Sequence, residues 1–274
     1  MGVSRSAVSL IIPAYNEANR IGAGLDAIAA YAASANVALE LIVVDDGSTD
    51  ATAKVAEAHL KVASHISGRV IRCGENRGKG HAVRLGLRAA TAPYAFFSDA
   101  DLSTPIEEMA TLLAALDSGE ADVAFGSRAV DRTLIGIRQS RAREIAGRAF
   151  NRVLRLATGL PFKDTQCGFK AFRMDVCRPL VEAGTIDGFG FDIELLYEAH
   201  RAGLKMREIP VRWDHREGSK VNLLRDGSRM LADVFTVRLR GAGGVYDRGI
   251  HLSGVAARRN GMRRVRSSPT NAPA

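Results

Sequence analysis

The chain is predicted to be an α/β protein built on a doubly wound, mostly parallel sheet. Three observations carry this expectation. Short β-rich runs alternate with stretches of helical period. The runs are nearly continuous in apolar character, as in strands buried on both faces. Their C-terminal ends carry the polar clusters "AYNE", "DDGSTD" and "DADLS", at the edge where open α/β sheets bind ligands.

Taken in order, "VSLIIPAYN" is the first strand and "RIGAGLDAIAAYAA" the first helix. "LELIVVDDGS" and "TDATAKVAEAHLKVA" repeat the pair, with Thr49 or Asp50 placed to N-cap the helix. "RVIRCGEN" and "GKGHAVRLGLRAAT" follow, then "YAFFSDAD" and "PIEEMATLLAALDSG". Thr104 before Pro105 is a suitable start for that fourth helix. "ADVAFGSR" is the fifth strand.

After Arg128 the character changes. "RQSRAREIAGRAFNRVLRLATG" reads as a helix on which Arg141, Arg148, Arg152 and Arg155 share one side, while Ile145, Phe150, Val153 and Leu154 point elsewhere. That face is either solvated or anion-binding. "FKDTQCGFKAF" is a loop running into a strand. "FGFDIELLYEAHRAG" is a helix, "KMREIPVRW" a late strand, "DHREGSKV" a loop and Leu223–Arg240 an amphipathic helix. From Gly241 the chain is rich in Gly, Arg and Ser and is expected to be disordered.

Composition narrows the function classes. Of 274 residues, 46% are hydrophobic and 25% charged, as in soluble globular proteins. The formal charge of +8 sits almost wholly from Arg238 onward, where eight arginines, Arg238 included, meet one acid, Asp247. The body is close to neutral, so no nucleic-acid partner is expected. Three cysteines without CxxC spacing argue for a reducing compartment and against a disulfide framework or a zinc site. The short polar stretch Met1–Ala7 does not read as a signal peptide. The longest apolar stretch, Ala27–Val44, is interrupted by Ser34, Asn36 and Glu40 and does not read as a membrane span.

Several motifs fail. "GENRGKGHAV" is one residue short of a phosphate loop, and Gly80 stands where Ser or Thr should meet magnesium. Its glycine-rich turn, with Lys79, remains suited either to facing a nucleotide at a helix N-terminus or to helix-start packing. No GxGxxG follows the first strand. The histidines form no ligand spacing; His59, His65 and His200 read as surface or core. Trp213 suits packing or a sugar-stacking platform.

The pair Asp99 and Asp101 is more telling. Two like charges one residue apart, ending a buried strand, call for compensation. Hard divalent cations, Mg2+ or Mn2+, take one or two such carboxylates and complete their shell with phosphates. Three strands deliver Glu17, Asp45, Asp46, Asp99 and Asp101 to one edge.

In order along the chain, "LIIPAYNE", "IVVDDGSTD", "NRGKGHAVRLG", "SDADLSTP", "GSR", "DTQCGFKAF", "FDIELL" and "GSKVNLLRDGSRML" resemble glycosyltransferase family 2, on the GT-A fold, over Val8 to Arg240. The similarity is greatest to its dolichyl- or polyprenyl-phosphate β-glucosyltransferase branch. The resemblance implies a nucleotide-sugar-binding part (1–127), an acceptor-binding part (128–240) and an Arg-rich tail (241–274). It implies that Pro13, Tyr15, Glu17 and Asp46, with Asp45 close by, line the nucleoside pocket, and that Lys79 serves the donor. Asp99 and Asp101 would hold the metal against the donor diphosphate. Arg128, Arg141, Arg143 and Gln166 would face the sugar or acceptor phosphate, and Ser219 and Lys220 would close over the diphosphate. Asp192 would be the base. The implied reaction is inverting transfer of a hexose, glucose from UDP-glucose, onto a polyprenyl phosphate. The implied location is the cytoplasmic face of a membrane, reached peripherally through the basic helix and tail.

Some features depart from that pattern. The dolichyl-phosphate mannose synthases of the family carry Gln two residues after the second Asp, where this chain has Ser103. Eukaryotic glucosyl members carry an N-terminal membrane helix, and some bacterial members C-terminal ones, neither of which is read here. A soluble hydroxyl acceptor or a polysaccharide, a GDP-mannose donor, and a non-catalytic anion- or RNA-binding role remain alternatives.

Overall fold

A computed structural model describes residues 7–35, 37–63, 66–216 and 223–242. Its sheet has seven strands: β1 (Ala7–Ala14), β2 (Ala38–Asp45), β3 (Ser67–Arg72), β4 (Tyr94–Ser98), β5 (Val123–Ser127), β6 (Phe169–Arg173) and β7 (Met206–Pro210). Their order is β3-β2-β1-β4-β6-β5-β7. All pairings are parallel except those of β6, which runs antiparallel to both neighbours, β4 and β5. The expectation of a mostly parallel α/β sheet therefore holds.

The helices are α1 (Ile21–Ser34), α2 (Thr52–Val62), α3 (Lys79–Ala89), α4 (Met109–Asp117), α5 (Arg141–Thr158), α6 (Met174–Ala183), α7 (Phe191–Arg201) and α8 (Leu223–Ala242). They cover both faces of the sheet, which explains the unbroken apolar runs. Along β1, Val8, Leu10 and Ile12 pack with α1 and α4, while Ile11 packs with α3, α6 and α7. Phe96 and Phe97 of β4 divide in the same way. A third, smaller core joins α5, α7 and α8 through Leu154, Ile193, Met230 and Val234.

Four local differences from the sequence reading have physical causes. The reading has no counterpart to α6, because Pro179 interrupts its pattern; the ring is accepted at the cost of one N–H in a ten-residue helix. Asp50 accepts from the Thr52 N–H (2.9 Å) but lies one residue before the N-cap, Ala51. A 3-10 turn, Ile106–Glu108, separates Pro105 from α4. Finally, Ile145 and Val153 do not turn away from the arginines. They are 59% and 46% exposed, on the same outer side of α5 as the exposed Arg141, Arg148, Arg152 and Arg155. Of Ile145, Phe150, Val153 and Leu154, Leu154 alone is buried, because this helix packs on one narrow side.

Candidate active site

The acidic residues gather where the strands end. Pro13 pairs with Val44 and Ala14 with Asp45 in the β1–β2 register, which puts Pro13, Tyr15, Glu17, Asp45 and Asp46 along one stretch of the sheet edge. Asn16 takes a left-handed conformation (φ 53°) and receives the Thr49 N–H at 2.8 Å, binding the two loops together. Glu17 is buried, and Arg20 holds both of its oxygens. Asp45 accepts the Ser48 N–H (3.1 Å).

Asp46 is 2% exposed and receives the Arg77 N–H at 3.2 Å and the Gly78 N–H at 2.7 Å. These amides lead into α3, so its positive end favours the carboxylate. Gly78 has φ 118°, and a Cβ there would come within 2.5 Å of the Asp187 carbonyl, so the turn requires glycine. The next residue, Lys79, reaches the other acidic cluster: its Nζ lies 2.5 Å from Asp99 Oδ1. One turn thus ties the β2 acids to the β4 acids. Burial works against the Lys79 charge, but Asp99 and Asp192 outweigh it and hold the ammonium above the ordinary lysine range.

Asp99, Asp101, Lys79, Arg143, Gln166 and Asp192 all line one cleft of about 260 Å³. Gly168, just before β6, leaves room for Asp99: a Cβ there would overlap its carboxylate. Asp101 accepts the Ser103 N–H (3.0 Å) and remains half-buried at the cleft wall. Two carboxylates from one strand end, open to the cleft, are a fitting donor set for Mg2+ or Mn2+ with phosphate oxygens as the remaining ligands.

Asp192, in the first turn of α7, is 4% exposed. Lys170 Nζ donates to its Oδ1 (2.6 Å) and to the Cys167 carbonyl (2.6 Å), and sits over the Phe97 ring. Burial pushes the Asp192 carboxyl up, against the pull of Lys170 and Lys79. Sequence reasoning missed Lys170, although a lysine inside "GFKAF", an otherwise apolar strand, signals a buried charge that needs a partner.

Arg128 lines the cleft with its guanidinium committed to Asp164, through Nε (2.7 Å) and Nη2 (2.9 Å), and lies over the Trp213 ring. Burial raises the Asp164 carboxyl, but Arg128 more than offsets this and holds it at about 2. Trp213 lines the same cleft and also stacks on His215. Arg141 does not join the cleft. It is the first residue of α5 and is exposed, because the helix turns Arg143 inward and Arg141 outward. Ser219 and Lys220 lie outside the described residues.

Residues 9–180 match the family described as glycosyl transferase family 2. The chain belongs to glycosyl transferase family 2. This glycosyltransferase is 36% identical over 244 residues to a dolichyl-phosphate beta-glucosyltransferase of Drosophila melanogaster, covering 85% of this chain and 74% of the relative. It is 32% identical to one of Saccharomyces cerevisiae, covering 87% and 76%. Among solved structures it resembles glucosyl-3-phosphoglycerate synthase from Mycobacterium tuberculosis. The complex with Mn2+, UDP and glucosyl-3-phosphoglycerate has a TM-score of 0.61 at 23% identity, covering 85% of this chain and 80% of that one. The complex with Mn2+, UDP-glucose and phosphoglyceric acid has a TM-score of 0.62 at 22% identity, covering 85% and 79%. At that identity the likeness speaks for the GT-A fold.

Proposed function

We propose that this glycosyltransferase moves glucose from UDP-glucose onto a dolichyl or other polyprenyl phosphate, with inversion, at a membrane surface. The observation that carries the reading is a path of three hollows that share lining residues, from the acidic cleft to a basic, apolar groove. The cleft shares Arg128, Gln139, Arg143 and Asn151 with a second hollow of about 140 Å³. That hollow shares Ala129, Arg148 and Asn151 with an open groove of about 820 Å³ along α5. The groove is lined by Ile145, Ala149, Leu156 and Leu160 between Arg148, Arg152, Arg155 and Lys163. Such a path suits a ligand with an anionic head and a hydrocarbon tail. The dolichyl-phosphate names of the relatives at 32–36% identity support the same acceptor.

In this reading residues 1–127 serve the donor and residues 128–240 the acceptor. Pro13, Tyr15, Glu17 and Asp46 bind the nucleoside. Lys79 faces the diphosphate, with Ser219 and Lys220 closing over it. Asp99 and Asp101 hold Mg2+ or Mn2+, which when bound offsets charge developing on the leaving group. Arg143 and Gln166 orient the acceptor phosphate, and Arg128, braced by Asp164, shapes the wall behind it. An acceptor oxygen attacks the anomeric carbon as the bond to UDP breaks, and the electron pair leaves on the diphosphate. Cationic side chains preset around that charge need no reorganisation as it forms.

Among the described residues no helix is long and apolar enough to cross a membrane. The exposed arginines on the outer face of α5 and those in the sequence after Arg238 support a peripheral place on a cytoplasmic leaflet. A second reading, transfer to a hydroxyl, is favoured by the buried Asp192, whose raised carboxyl is suited to taking a proton. Product analysis separates the two. Purified enzyme with labelled UDP-glucose and a polyprenyl phosphate is expected to yield a glucosyl lipid. Label found only in a hydroxyl glycoside, or only when GDP-mannose replaces UDP-glucose, overturns the lipid-glucose reading.

A further inference from the structure

The geometry points to a second metal site, for a borderline-soft ion such as Zn2+, formed by Asp46, Cys73 and His81 and separate from the Asp99–Asp101 pair. One oxygen, one sulfur and one nitrogen from these side chains all lie within 4.8 Å of one another. Tetrahedral zinc with bonds of about 2.0–2.3 Å separates its ligand atoms by roughly 3.4–3.7 Å. His81 Nδ1 and Asp46 Oδ1 already stand 3.5 Å apart. The Cys73 backbone beside them is held by its N–H to the Asp45 carbonyl (2.8 Å), and its sulfur completes the set within the same 4.8 Å.

A second observation points the same way. His81 Nδ1 is buried and has no hydrogen-bond partner, yet it faces an acidic group. In the tautomer with a bare Nδ1, two lone pairs oppose each other, and a cation between them turns that conflict into two bonds. One cation that acts on the Cys73 thiol is committed elsewhere: the Arg77 guanidinium is paired with Asp187 at 3.0 Å. The Asp46 carboxylate keeps its amide bonds from Arg77 and Gly78, which orient it as outer partners orient metal ligands. Three protein ligands leave one position for water, and the Cys73 thiol loses its proton to solvent on binding. The chemistry is unlike that of Asp99 and Asp101, which offer oxygen alone and suit magnesium or manganese.

Resting on the reading that Asp46 contacts the nucleoside, the inference carries a functional consequence. Zinc and the uridine nucleotide compete for one carboxylate, so zinc inhibits by lowering donor affinity and the donor expels zinc.

Co2+ is the probe, added to the full-length enzyme in the presence of excess Mg2+. Wild-type protein and Asp101→Asn are expected to show a thiolate-to-cobalt charge-transfer band at about one equivalent. Cys73→Ser is expected to lose the band, with a fall in Zn2+ affinity beyond the roughly 10–100-fold that loss of an outer partner costs. Cys167 and Cys177 are buried, so alkylation reads Cys73 selectively, and Zn2+ is expected to slow it. No sulfur band at saturating Co2+, or a band that survives Cys73→Ser, overturns the site. UDP is then added to the cobalt form. Loss of the band supports the competition. A band that persists under saturating UDP overturns the competition and the nucleoside reading of Asp46 while leaving the metal site standing.

Discussion

The Asp192–Lys170 ion pair bears differently on the two proposed acceptor chemistries. A phosphate monoester is mostly ionised at neutral pH, since its second pKa is about 6, and it attacks without giving up a proton. A hydroxyl must lose one, and a positioned base contributes about 10²–10⁴-fold. With a polyprenyl phosphate acceptor, Asp192→Asn is expected to lower kcat by less than that range, and the kcat ratio to wild type should be flat with pH. A loss of several orders of magnitude would mark Asp192 as the base and favour the hydroxyl reading. Asp164 makes a different kind of statement. Its carboxyl is held at about 2 against an ordinary 3.8, so the stabilisation it provides is complete above about pH 4 and fades as pH falls through 2. The shift corresponds to about 2 kcal/mol. Asp164→Asn is expected to cost about 3–5 kcal/mol near neutrality, because Arg128 is left without its partner. In urea melts the gap between wild type and variant should narrow as pH drops from 4 to 2. A constant gap would mean that the pair is not coupled to folding.

The individual elements differ in how far they can be read from a sequence. The first five strands and the helices between them are legible because continuous apolar runs alternate with stretches of helical period. Asp99, Asp101 and Asp46 are legible for the same reason: strand ends are local, and acids there are conspicuous. The role of Lys170 is not, because its partner lies 22 residues away on a helix and only the antiparallel turn of β6 brings them together. The pairing of Arg128 with Asp164 is not legible either, because the two lie 36 residues apart, beyond any pattern rule. On α5 the arginine spacing is plain, but the exposure of Ile145 and Leu156 depends on how little of the helix its neighbours cover. That mixed face leads to a prediction. Reversing Arg148, Arg152 and Arg155 to Glu should release the enzyme from anionic vesicles, since each basic residue near such a surface contributes about 1 kcal/mol. The melting temperature should barely move, because all three are exposed. Vesicle binding that survives the triple change would remove α5 from the membrane reading.

At the scale of the whole molecule, charge and fold are separate systems. Nearly all the excess positive charge lies from Arg238 onward, whereas the catalytic motifs all precede it. Deleting residues 241–274 is therefore expected to weaken association with anionic vesicles and to slow transfer to a long-chain polyprenyl phosphate. Activity on a short, detergent-soluble acceptor should be largely kept. Binding of the intact protein should fall steeply with salt, as the screening length shrinks from about 8 Å at physiological ionic strength to about 3 Å at 1 M. Binding that is insensitive to salt, or equal in the truncated protein, would leave the tail with no part in anchoring. The antiparallel strand has a further bearing, on how the chain comes off the ribosome. β4 is complete at Ser98, but β6, which fills its open side, begins at Phe169, and β5 is held in the sheet only through β6 and β7. At about 5–20 residues per second, the free hydrogen-bonding edge of β4 waits several seconds for β6. During synthesis the first half is thus an unfinished sheet with a bare edge, open to chaperones or to another nascent copy. A nascent chain in which β4 has emerged but β6 has not is expected to aggregate more readily than the finished protein, because that edge is uncovered.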